Sequence, residues 1–498
     1  MAALGGAQFD RRGLFQMNSY HSTKLNRRRF LAQSAAFAGL ALTGPNLLLH
    51  GQNAASKRLN IAMIGAAGKG RSDRSNVAKD HNIVALADVD SDRLAIGMKS
   101  AKETNPDGKT AQGFKDFRKM FDTMAKDIDA VIVSTPDHTH FVAAMWAVRH
   151  GKHVCVQKPL CNTIAEVRTL HAAAKSAGVI TQMGNQGRTS EGHRLVKEWI
   201  EQGVIGRLKE IRLWTDRPIW PQGALTKKAA KCPSTLDWDL WLTSESNEPY
   251  FEFDAPAGSR AKKSDKNQGG ISVHPFNWRG WWQFGAGALG DMGCHIMDAA
   301  FNVLGQRVPT KIEVESSPIT NLTAPTWSKL IYHFASNDRF PALTVSWHDG
   351  AKDGKQNLPE RDDRVPLATF NREPNGMMFI GSDGVIFADT YCMRPEVFPD
   401  PKDDEVRDAM SSGKLKKTEP RSPHPGNPQL EWASCIVNGG KPGSNFDYAA
   451  PLSEFVLLGN LAIRSGQMIE WDAKQQKVSN VPEANRFIKR PAYRPGWI

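Results

Sequence analysis

The sequence predicts an α/β protein with two folded domains behind an N-terminal leader. Between residues 59 and 183, short apolar runs alternate with helical periodicity, which is typical of βαβ units and a doubly wound parallel sheet. A glycine-rich turn directly follows the first run. After Gln186, strand-like runs separated by long connections predict an α+β domain with a large, mainly antiparallel sheet. We therefore divide the chain into residues 1–56, 57–185 and 186–498.

The leader has the features of an export signal. Residues 26–49 read NRRRFLAQSAAFAGLALTGPNLLL, with a basic start, an apolar stretch and small residues. Arg27 and Arg28, followed by Phe30 and Leu31, fit a twin-arginine signal, the type that exports folded proteins. A basic run before an ordinary helix is the alternative. We expect a periplasmic or otherwise exported protein that engages the twin-arginine export machinery and is soluble after leader removal. The cleavage site stays open.

Charge and cysteine content exclude two classes of partner. The net charge is +12, but the leader carries six Lys/Arg and one aspartate, so five of these charges belong to it. The remaining basic residues are dispersed, and we expect no nucleic-acid partner. The six cysteines form no C-x-x-C pair and match no zinc spacing. We therefore expect no metal site and free, mostly buried thiols.

The individual elements follow from local patterns of apolar residues. The predicted strands of the first domain are residues 59–64, 83–87, 130–134, 153–157 and 179–183. Between two of them, Phe141, Ala144, Met145 and Val148 share one helical face. In the second domain we expect a helix at 192–202 and strands at 208–214, 311–315, 329–334, 342–347 and 377–380. Stretches rich in lysine and glycine, at 255–270, 350–364 and 411–427, are expected to be surface loops.

Residues 65–70 form a glycine-rich turn between a predicted strand and a predicted helix. This is the context that a Rossmann dinucleotide-binding fingerprint requires. Gly65 permits the tight turn, and Gly70 lets the helix pack against the strand, so that the pyrophosphate can rest on the helix amides. Ala67 stands at the middle position of the fingerprint, with Gly68 after it, which weakens the signal. We include Arg71 among the candidate cofactor contacts.

Asp88 follows the second predicted strand, eighteen residues after Gly70, where a ribose-binding carboxylate belongs. Its charge would repel a 2′-phosphate, so the sequence favours NAD over NADP. Arg71 and Arg93 leave NADP open. The alternative is a glycine-rich turn that holds no ligand.

Polar motifs follow two further predicted strands, at the edge of the sheet where ligands bind. Lys158 comes directly after a strand, and Pro159 ends that strand because it has no N–H to donate. A solvated lysine in a turn is the alternative. The preceding strand ends in the sequence STPDHTH. The candidate cofactor contacts at this edge are Ser134, Thr135, Pro136, His138, His140, Gln157 and Lys158.

A second motif, GALGDMGCHIMD, places three polar residues on one helical face. Asp291, His295 and Asp298 are separated by four and three positions. Histidine is the side chain best suited to exchange a substrate proton near neutral pH. The alternatives are a buried histidine with its hydrogen bonds satisfied, or a structural Asp–His pair.

With these motifs in this order, the chain resembles the Gfo/Idh/MocA oxidoreductases, the family of glucose–fructose oxidoreductase and inositol dehydrogenase. The resemblance runs from Leu59 through Asp298, and more loosely to the C-terminal RPAYRPGWI. The E-K-P motif of the family is Gln157-Lys158-Pro159 here, and its D-x-x-x-H pair falls on Asp291 and His295. The resemblance implies a homo-oligomer and an open-faced sheet in the second domain.

The resemblance also implies a division of labour. NAD would lie at Gly65, Gly68 and Gly70, His295 would take a hydroxyl proton, and Lys158 would position the oxygen, with Asp291 orienting either of them. Candidate substrate contacts are Asn185, Arg279 and Trp282. The aromatic face of Trp282 suits a sugar ring, and Arg279 suits an acidic or hydroxyl group. For the aromatic residue, packing in the core or at a subunit interface is the alternative.

We therefore expect an exported NAD(P)-dependent oxidoreductase that acts on a sugar, polyol or sugar derivative and keeps its cofactor bound. An NAD-dependent glycosidase, lyase or epimerase that oxidises the sugar transiently is one alternative. A non-catalytic exported binding protein is another. The sequence leaves the sugar, the reacting carbon and the oligomeric state open.

Overall fold

The computed structural model describes residues 58–106, 108–255, 261 and 270–498. The leader, with its predicted twin-arginine signal, and most of the predicted loop at 255–270 lie outside the described residues. None of the helices within the described ranges is long and apolar enough to cross a membrane. The six cysteines are free thiols.

The N-terminal domain contains a parallel six-stranded sheet, as predicted. Its strands run in the order β3-β2-β1-β4-β5-β6, so β2 and β3 are added on one side of β1, and β4 to β6 on the other. The strands are β1 (Asn60–Ile64), β2 (Asn82–Ala87), β3 (Gln112–Phe114), β4 (Ala130–Val133), β5 (His153–Val156) and β6 (Thr181–Met183). Ile64 pairs with both Ala87 and Val133, which brings the residues that follow these three strands to one edge.

Five helices of the described residues connect these strands. They are α1 (Lys69–Ser75), α2 (Ser91–Thr104), α3 (Phe117–Met124), α4 (Asp137–Arg149) and α5 (Ile164–Ala177). Helix α5 begins with a capping box, in which Thr163 and Glu166 bond each other's backbone N–H through their side chains. It ends at Gly178, whose φ of 65° is the left-handed conformation that glycine adopts without strain.

The C-terminal domain contains the predicted, mainly antiparallel sheet. Its strands run in the order β16-β15-β14-β7-β12-β11-β10-β17-β18, with β13 paired to β12. The pair β7–β12 is parallel. The strands are β7 (Leu208–Thr215), β10 (Lys311–Ser316), β11 (Trp327–Phe334), β12 (Leu343–Lys352), β13 (Lys355–Gln356), β14 (Gly376–Gly381), β15 (Val385–Asp389), β16 (Glu396–Phe398), β17 (Ile469–Asp472) and β18 (Lys477–Val478). A separate hairpin pairs β8 (Lys227–Ala229) with β9 (Phe251–Phe253).

The described residues of the C-terminal part of the chain form seven further α-helices, which are α6 (Glu191–Glu201), α7 (Trp238–Leu242), α8 (Gly287–Val303), α9 (Leu367–Arg372), α10 (Pro401–Ser411), α11 (Pro428–Asn438) and α12 (Phe446–Ser465). Of these, α8 packs against β7 and β12, and α12 packs against β10. In β11, alternate residues such as Leu330, Tyr332 and Phe334 are buried, while those between them are half-buried. A Cβ atom on Gly293 of α8 would lie 2.7 Å from Val456 of α12, so glycine permits the close approach of these two helices.

Helix α11 joins the C-terminal part of the chain to the first domain. Trp432 is fully buried among the apolar residues of the parallel sheet, and its indole N–H donates to the Ile180 carbonyl at 3.0 Å. The last third of the chain therefore helps to close the core of the N-terminal domain.

Candidate active site

The glycine-rich turn has the geometry of a phosphate-binding loop. Gly65 has φ +95°, and a Cβ atom there would lie 2.5 Å from the Ser134 carbonyl oxygen. Gly68 has φ +60°, and a Cβ on Gly70 would overlap the Gly65 carbonyl oxygen. Side chains at these positions would strain the turn or push the elements apart. The turn thus leaves its backbone open to a ligand.

Asp88 lies beside this turn and also fixes it. Its carboxylate accepts hydrogen bonds from the backbone N–H of Ala66 at 2.9 Å and of Asp90 at 3.1 Å. Burial raises the pKa of Asp88, and the two N–H donors oppose that rise. Asp88 also lines the cavity next to the turn.

A cavity of about 470 Å³, the cofactor cavity, extends from the turn across the strand ends. The predicted residues in its wall are Gly65, Ala67, Gly68, Asp88, Ser134, Thr135 and Pro136. Trp241, His274 and Phe276 of the second domain form the opposite wall. Arg71, a predicted contact, is exposed and does not line the cavity; Lys69 and Arg93 do.

The structure corrects the prediction for His138 and His140. Both are buried behind the cofactor cavity, where they bond backbone carbonyls: His138 Nε2 that of Trp241 at 2.8 Å, His140 Nε2 that of Thr135 at 3.0 Å. Burial lowers the pKa of His138 to about 3 and that of His140 to about 4. The two histidines fix the backbone next to the cavity through these hydrogen bonds, and neither of them lines the cavity.

A second cavity of about 450 Å³, the catalytic cavity, adjoins the first. Lys69, Ser134, Thr135 and Arg279 line both cavities, so the two share part of their walls. The catalytic cavity contains all three predicted catalytic residues, together with Gln157. The structure thus brings Lys158 together with Asp291 and His295, which lie far from it along the chain.

Asp291 holds two cations at the wall of the catalytic cavity. Lys158 Nζ lies 2.9 Å from Asp291 Oδ1 and also donates to the Asp291 carbonyl oxygen, while Arg279 Nε lies 3.1 Å from the same Oδ1. Burial favours the neutral form of Asp291, but the charges of Lys158 and Arg279 prevail and lower its pKa. The carboxylate is therefore ionised and fixes the direction of both cationic side chains.

His295 lies one helical turn after Asp291 and is 4% exposed. Its Nδ1 has no hydrogen-bond partner among the described residues, and its ring packs edge-on against Tyr391, with centroids 5.1 Å apart. Burial lowers the pKa of His295 well below its ordinary value, and Lys158 adds to the effect. The imidazole is therefore neutral at neutral pH and able to accept a proton.

Two of the three predicted substrate contacts lie elsewhere. Asn185 is fully buried, and its amide donates to Asp298 Oδ2 at 2.6 Å; Tyr448 donates to the other oxygen of the same carboxylate at 2.6 Å. Asp298 is part of α8, so this buried network lies on that helix and outside the catalytic cavity. Trp282 lines a different cavity. Of the three, Arg279 is the residue that the structure places in the catalytic cavity.

Sequence reasoning missed Asp137, a second titratable group in the catalytic cavity. Burial, reinforced by the nearby charge of Asp291, raises the pKa of Asp137 to about 8. Its side chain is therefore largely protonated at neutral pH and able to donate a proton. The available signal was a carboxylate in the first turn of α4, directly after Pro136, but that position alone suggests only favourable charge at a helix start.

Gln157 departs from the family motif, and the structure shows its partner. Gln157 Nε2 donates to Asp73 Oδ2 at 2.9 Å. Asp73 is fully buried in α1 and also accepts from Ser134 Oγ at 2.7 Å, Lys69 Nζ at 2.6 Å and Gln429 Nε2 at 3.0 Å. This network ties the glycine-rich turn to β4, β5 and α11.

A parallel nucleotide-binding sheet joined to a mixed α+β domain, with a lysine, an aspartate and a histidine where they meet, defines a class of dinucleotide-dependent oxidoreductases. Residues 59–185 match the family model for the NAD-binding Rossmann fold of this class, and residues 196–340 match its C-terminal alpha/beta domain. Together these matches span more than half of the chain. The protein belongs to the Gfo/Idh/MocA oxidoreductase family, and its N-terminal domain is the NAD-binding domain.

Similar proteins of this family include sugar and polyol enzymes. The chain is 26% identical over 191 residues to levoglucosan dehydrogenase of Pseudarthrobacter phenanthrenivorans, covering 38% of this chain and 36% of that protein. It is 26% identical over 164 residues to myo-inositol 2-dehydrogenase of Thermotoga maritima, covering 33% and 46%. The chain thus spans less than half the length of these curated relatives.

Solved structures show the same fold over most of the chain. A dehydrogenase from Bordetella pertussis in complex with NADH and UDP-GlcNAcA has a TM-score of 0.54 at 14% identity, covering 83% of this chain and 99% of that one. Levoglucosan dehydrogenase in complex with NADH has a TM-score of 0.53 at 15% identity, with the same coverage.

Proposed function

We propose that this protein is an NAD-dependent oxidoreductase that oxidises an alcohol carbon of a sugar, polyol or sugar derivative by hydride transfer. The observation that carries the proposal is the junction of the two cavities, with Lys158, Asp291 and His295 at the second. The levoglucosan and inositol dehydrogenases among the relatives support the substrate class.

The residues of the cofactor cavity fit a dinucleotide. Gly65 and Gly68 leave the backbone of the turn uncovered, and Asp88 stands at the end of β2 to receive ribose hydroxyls. When bound, NAD supplies the hydride-accepting chemistry, and the protein supplies position and charge. The carboxylate of Asp88 favours NAD over NADP.

In the catalytic cavity, the charge states of the side chains determine which group accepts the proton of the substrate hydroxyl. The neutral His295 imidazole takes the proton from the substrate hydroxyl oxygen. Lys158, held by Asp291, presents a positive charge to that oxygen and stabilises the negative charge that develops there. Arg279 is fixed by the same carboxylate and orients a second substrate hydroxyl.

The test is the loss of turnover without loss of cofactor binding. We expect Lys158→Met and His295→Asn each to lower kcat by about 10²–10⁴-fold with a sugar and polyol panel that includes levoglucosan and myo-inositol. NADH affinity and thermal stability should change little. Lys209→Met, an exposed lysine, is the matched control. Full turnover in either catalytic variant would contradict the proposal.

A second candidate function is supported by Asp137. Transient oxidation of a sugar carbon acidifies the neighbouring C–H bond, which permits epimerisation, elimination or glycosidic cleavage. Elimination and cleavage need an acid for the leaving oxygen, and protonated Asp137 is such a group. We expect Asp137→Asn to abolish a redox-neutral conversion while retaining NAD reduction. Loss of both reactions to the same extent would favour simple dehydrogenation.

We also propose that the cofactor stays bound and that the leader directs twin-arginine export. Walls from both domains around the cofactor cavity support retention. Stoichiometric NAD(H) released on denaturation after extensive dialysis is the expected result, and empty protein would contradict it.

A reporter fused to residues 1–56 should be exported, and Arg27→Lys with Arg28→Lys should prevent this. Homo-oligomerisation stays a prediction, to be measured by light scattering.

A further inference from the structure

A third cavity, of about 440 Å³, lies apart from the proposed active site. It shares no lining residue with the cofactor cavity or the catalytic cavity. Its walls come from the start of α5, the segment before α8, the second half of α12, and residues 486–491 near the C-terminus. We name it the Arg464 cavity.

The charge around the Arg464 cavity is strongly positive. Arg464, Arg486, Lys489 and Arg490 line it, against one carboxylate, Glu245. Glu245 forms an ion pair with Arg490, whose Nε also lies 2.8 Å from the buried Glu166 outside the cavity. Within the described residues, the other three cations have no carboxylate partner.

Arg464 is the most enclosed of these three. Its guanidinium lies 4.0 Å from the ring centroid of Phe487 and 5.2 Å from that of Trp282. Burial, followed by the charge of Arg486, lowers the pKa of Arg464 to about 10. Arg464 is half-buried. A cation partly removed from water without a counter-charge is destabilising, and an anion in the cavity would offset that effect.

Besides the ion-paired Glu245 Oε1, three buried polar atoms of residues that line the same cavity lack hydrogen-bond partners among the described residues. They are Trp282 Nε1, Asn460 Oδ1 and Arg490 Nη2. Trp282 is 7% exposed, Asn460 is 6% exposed, and the side chain of Arg490 is 7% exposed. A buried polar atom of this kind is destabilising when it stays unsatisfied. Two are N–H donors, so a ligand with acceptor oxygens would satisfy them.

We propose that the Arg464 cavity binds a small anionic carbohydrate, one that carries a carboxylate or phosphate group. The anionic group pairs with Arg464 and the rim cations Arg486 and Lys489. Sugar hydroxyls meet Trp282 and Asn460, and the apolar C–H face lies on Leu457 and Leu461. The volume is within the range of small-molecule sites. The proposal is independent of the activity proposed above.

The experiment is isothermal titration calorimetry on the full chain at fixed ionic strength, with glucuronate, glucose 6-phosphate and glucose as probes. At least one anion should bind at least about tenfold more tightly than glucose, because a charge-assisted pair is added. Whether glucuronate or glucose 6-phosphate binds more tightly distinguishes a carboxylate site from a phosphate site. Arg464→Gln should weaken that binding at least about tenfold. Arg207→Gln, an exposed arginine that lines none of the three cavities, should leave it unchanged.

Further variants keep the test decisive. If Arg464→Gln does not fold, the double variant Arg486→Gln/Lys489→Gln replaces it in the test, because both side chains are exposed. This double variant should also weaken anion binding. Lys158→Met should leave it intact, which separates this site from the catalytic cavity. The proposal is overturned if neither anion binds at about 10 mM, or if glucose binds equally well. It also fails if the Arg464 or rim variants bind like the wild type, if Lys158→Met abolishes binding, or if a second copy of the chain fills the cavity.

Discussion

Exchange of Gln157 for glutamate, the residue in the family motif, should destabilise this protein. The Gln157 amide donates to Asp73 Oδ2 at 2.9 Å, and both side chains are buried. In Gln157→Glu, a carboxylate would replace this donor and face the carboxylate of Asp73 at about the same distance, with no proton between them.

The size of the effect follows from that geometry. Two unit charges about 3 Å apart repel by about 5–6 kcal/mol at an effective dielectric constant of about 20. The pair avoids this repulsion by binding a proton. Protonating a glutamate of ordinary pKa about 4.3 at pH 7 costs about 3.7 kcal/mol, which sets an upper limit. Because Lys69 partly screens Asp73, we expect a loss of about 2–3.5 kcal/mol at pH 7.

The pH dependence is the sharper test, measured as the free energy of unfolding in guanidinium chloride. The folded variant holds a proton that its unfolded chain releases above about pH 4.3, so the loss relative to wild type grows with pH by up to about 1.4 kcal/mol per unit. It should be about 2 kcal/mol larger at pH 7 than at pH 5. Asp73→Asn added to Gln157→Glu should remove this dependence. A loss that does not change with pH would refute the electrostatic reasoning.

Three further predictions concern the cofactor and the base. Gly65→Ala should cost about 1–3 kcal/mol of stability and weaken NADH binding, because φ is +95° and the new methyl meets the Ser134 carbonyl; wild-type fluorescence titration curves would contradict this. Asp88→Ala should raise the NADP/NAD ratio of kcat/KM by at least about tenfold, since Arg93 lines the same cavity; an unchanged ratio would count against the ribose assignment. Because burial lowers the pKa of His295, kcat/KM should stay level as pH falls from about 8 to 6.5; a decline in that range that disappears in His295→Asn would contradict the neutral base.

The fold was predictable where local pattern and tertiary burial agree. The parallel strands of the first domain are short apolar runs between amphipathic helices, and both sheets were predicted. β3 was missed because Gln112–Phe114 is short and largely exposed. Helix α12 was also missed: it is buried on almost every side, so no amphipathic period marks it, and Pro451 lies inside it.

The site was predictable only in part, because sequence shows where a residue lies along the chain and not where its side chain points. Lys158 and His295 could be found because a strand end and a helical face fix their direction. His138 lies at a strand edge too, but as the second residue of α4 its side chain turns back toward Trp241. Asp137 acquires its role from burial and from Asp291, which is distant in sequence.

The family motif has a glutamate where this chain has Gln157, but a carboxylate still lies at this place, because Gln157 contacts Asp73. The carboxylate of Asp73 receives Gln157, Ser134 and Lys69, so it still joins the strand edge to the glycine-rich turn. The charge of Lys158 is balanced by Asp291, not by the residue before it. Lys158 therefore keeps its direction into the catalytic cavity with glutamine at position 157, because Asp291 holds it.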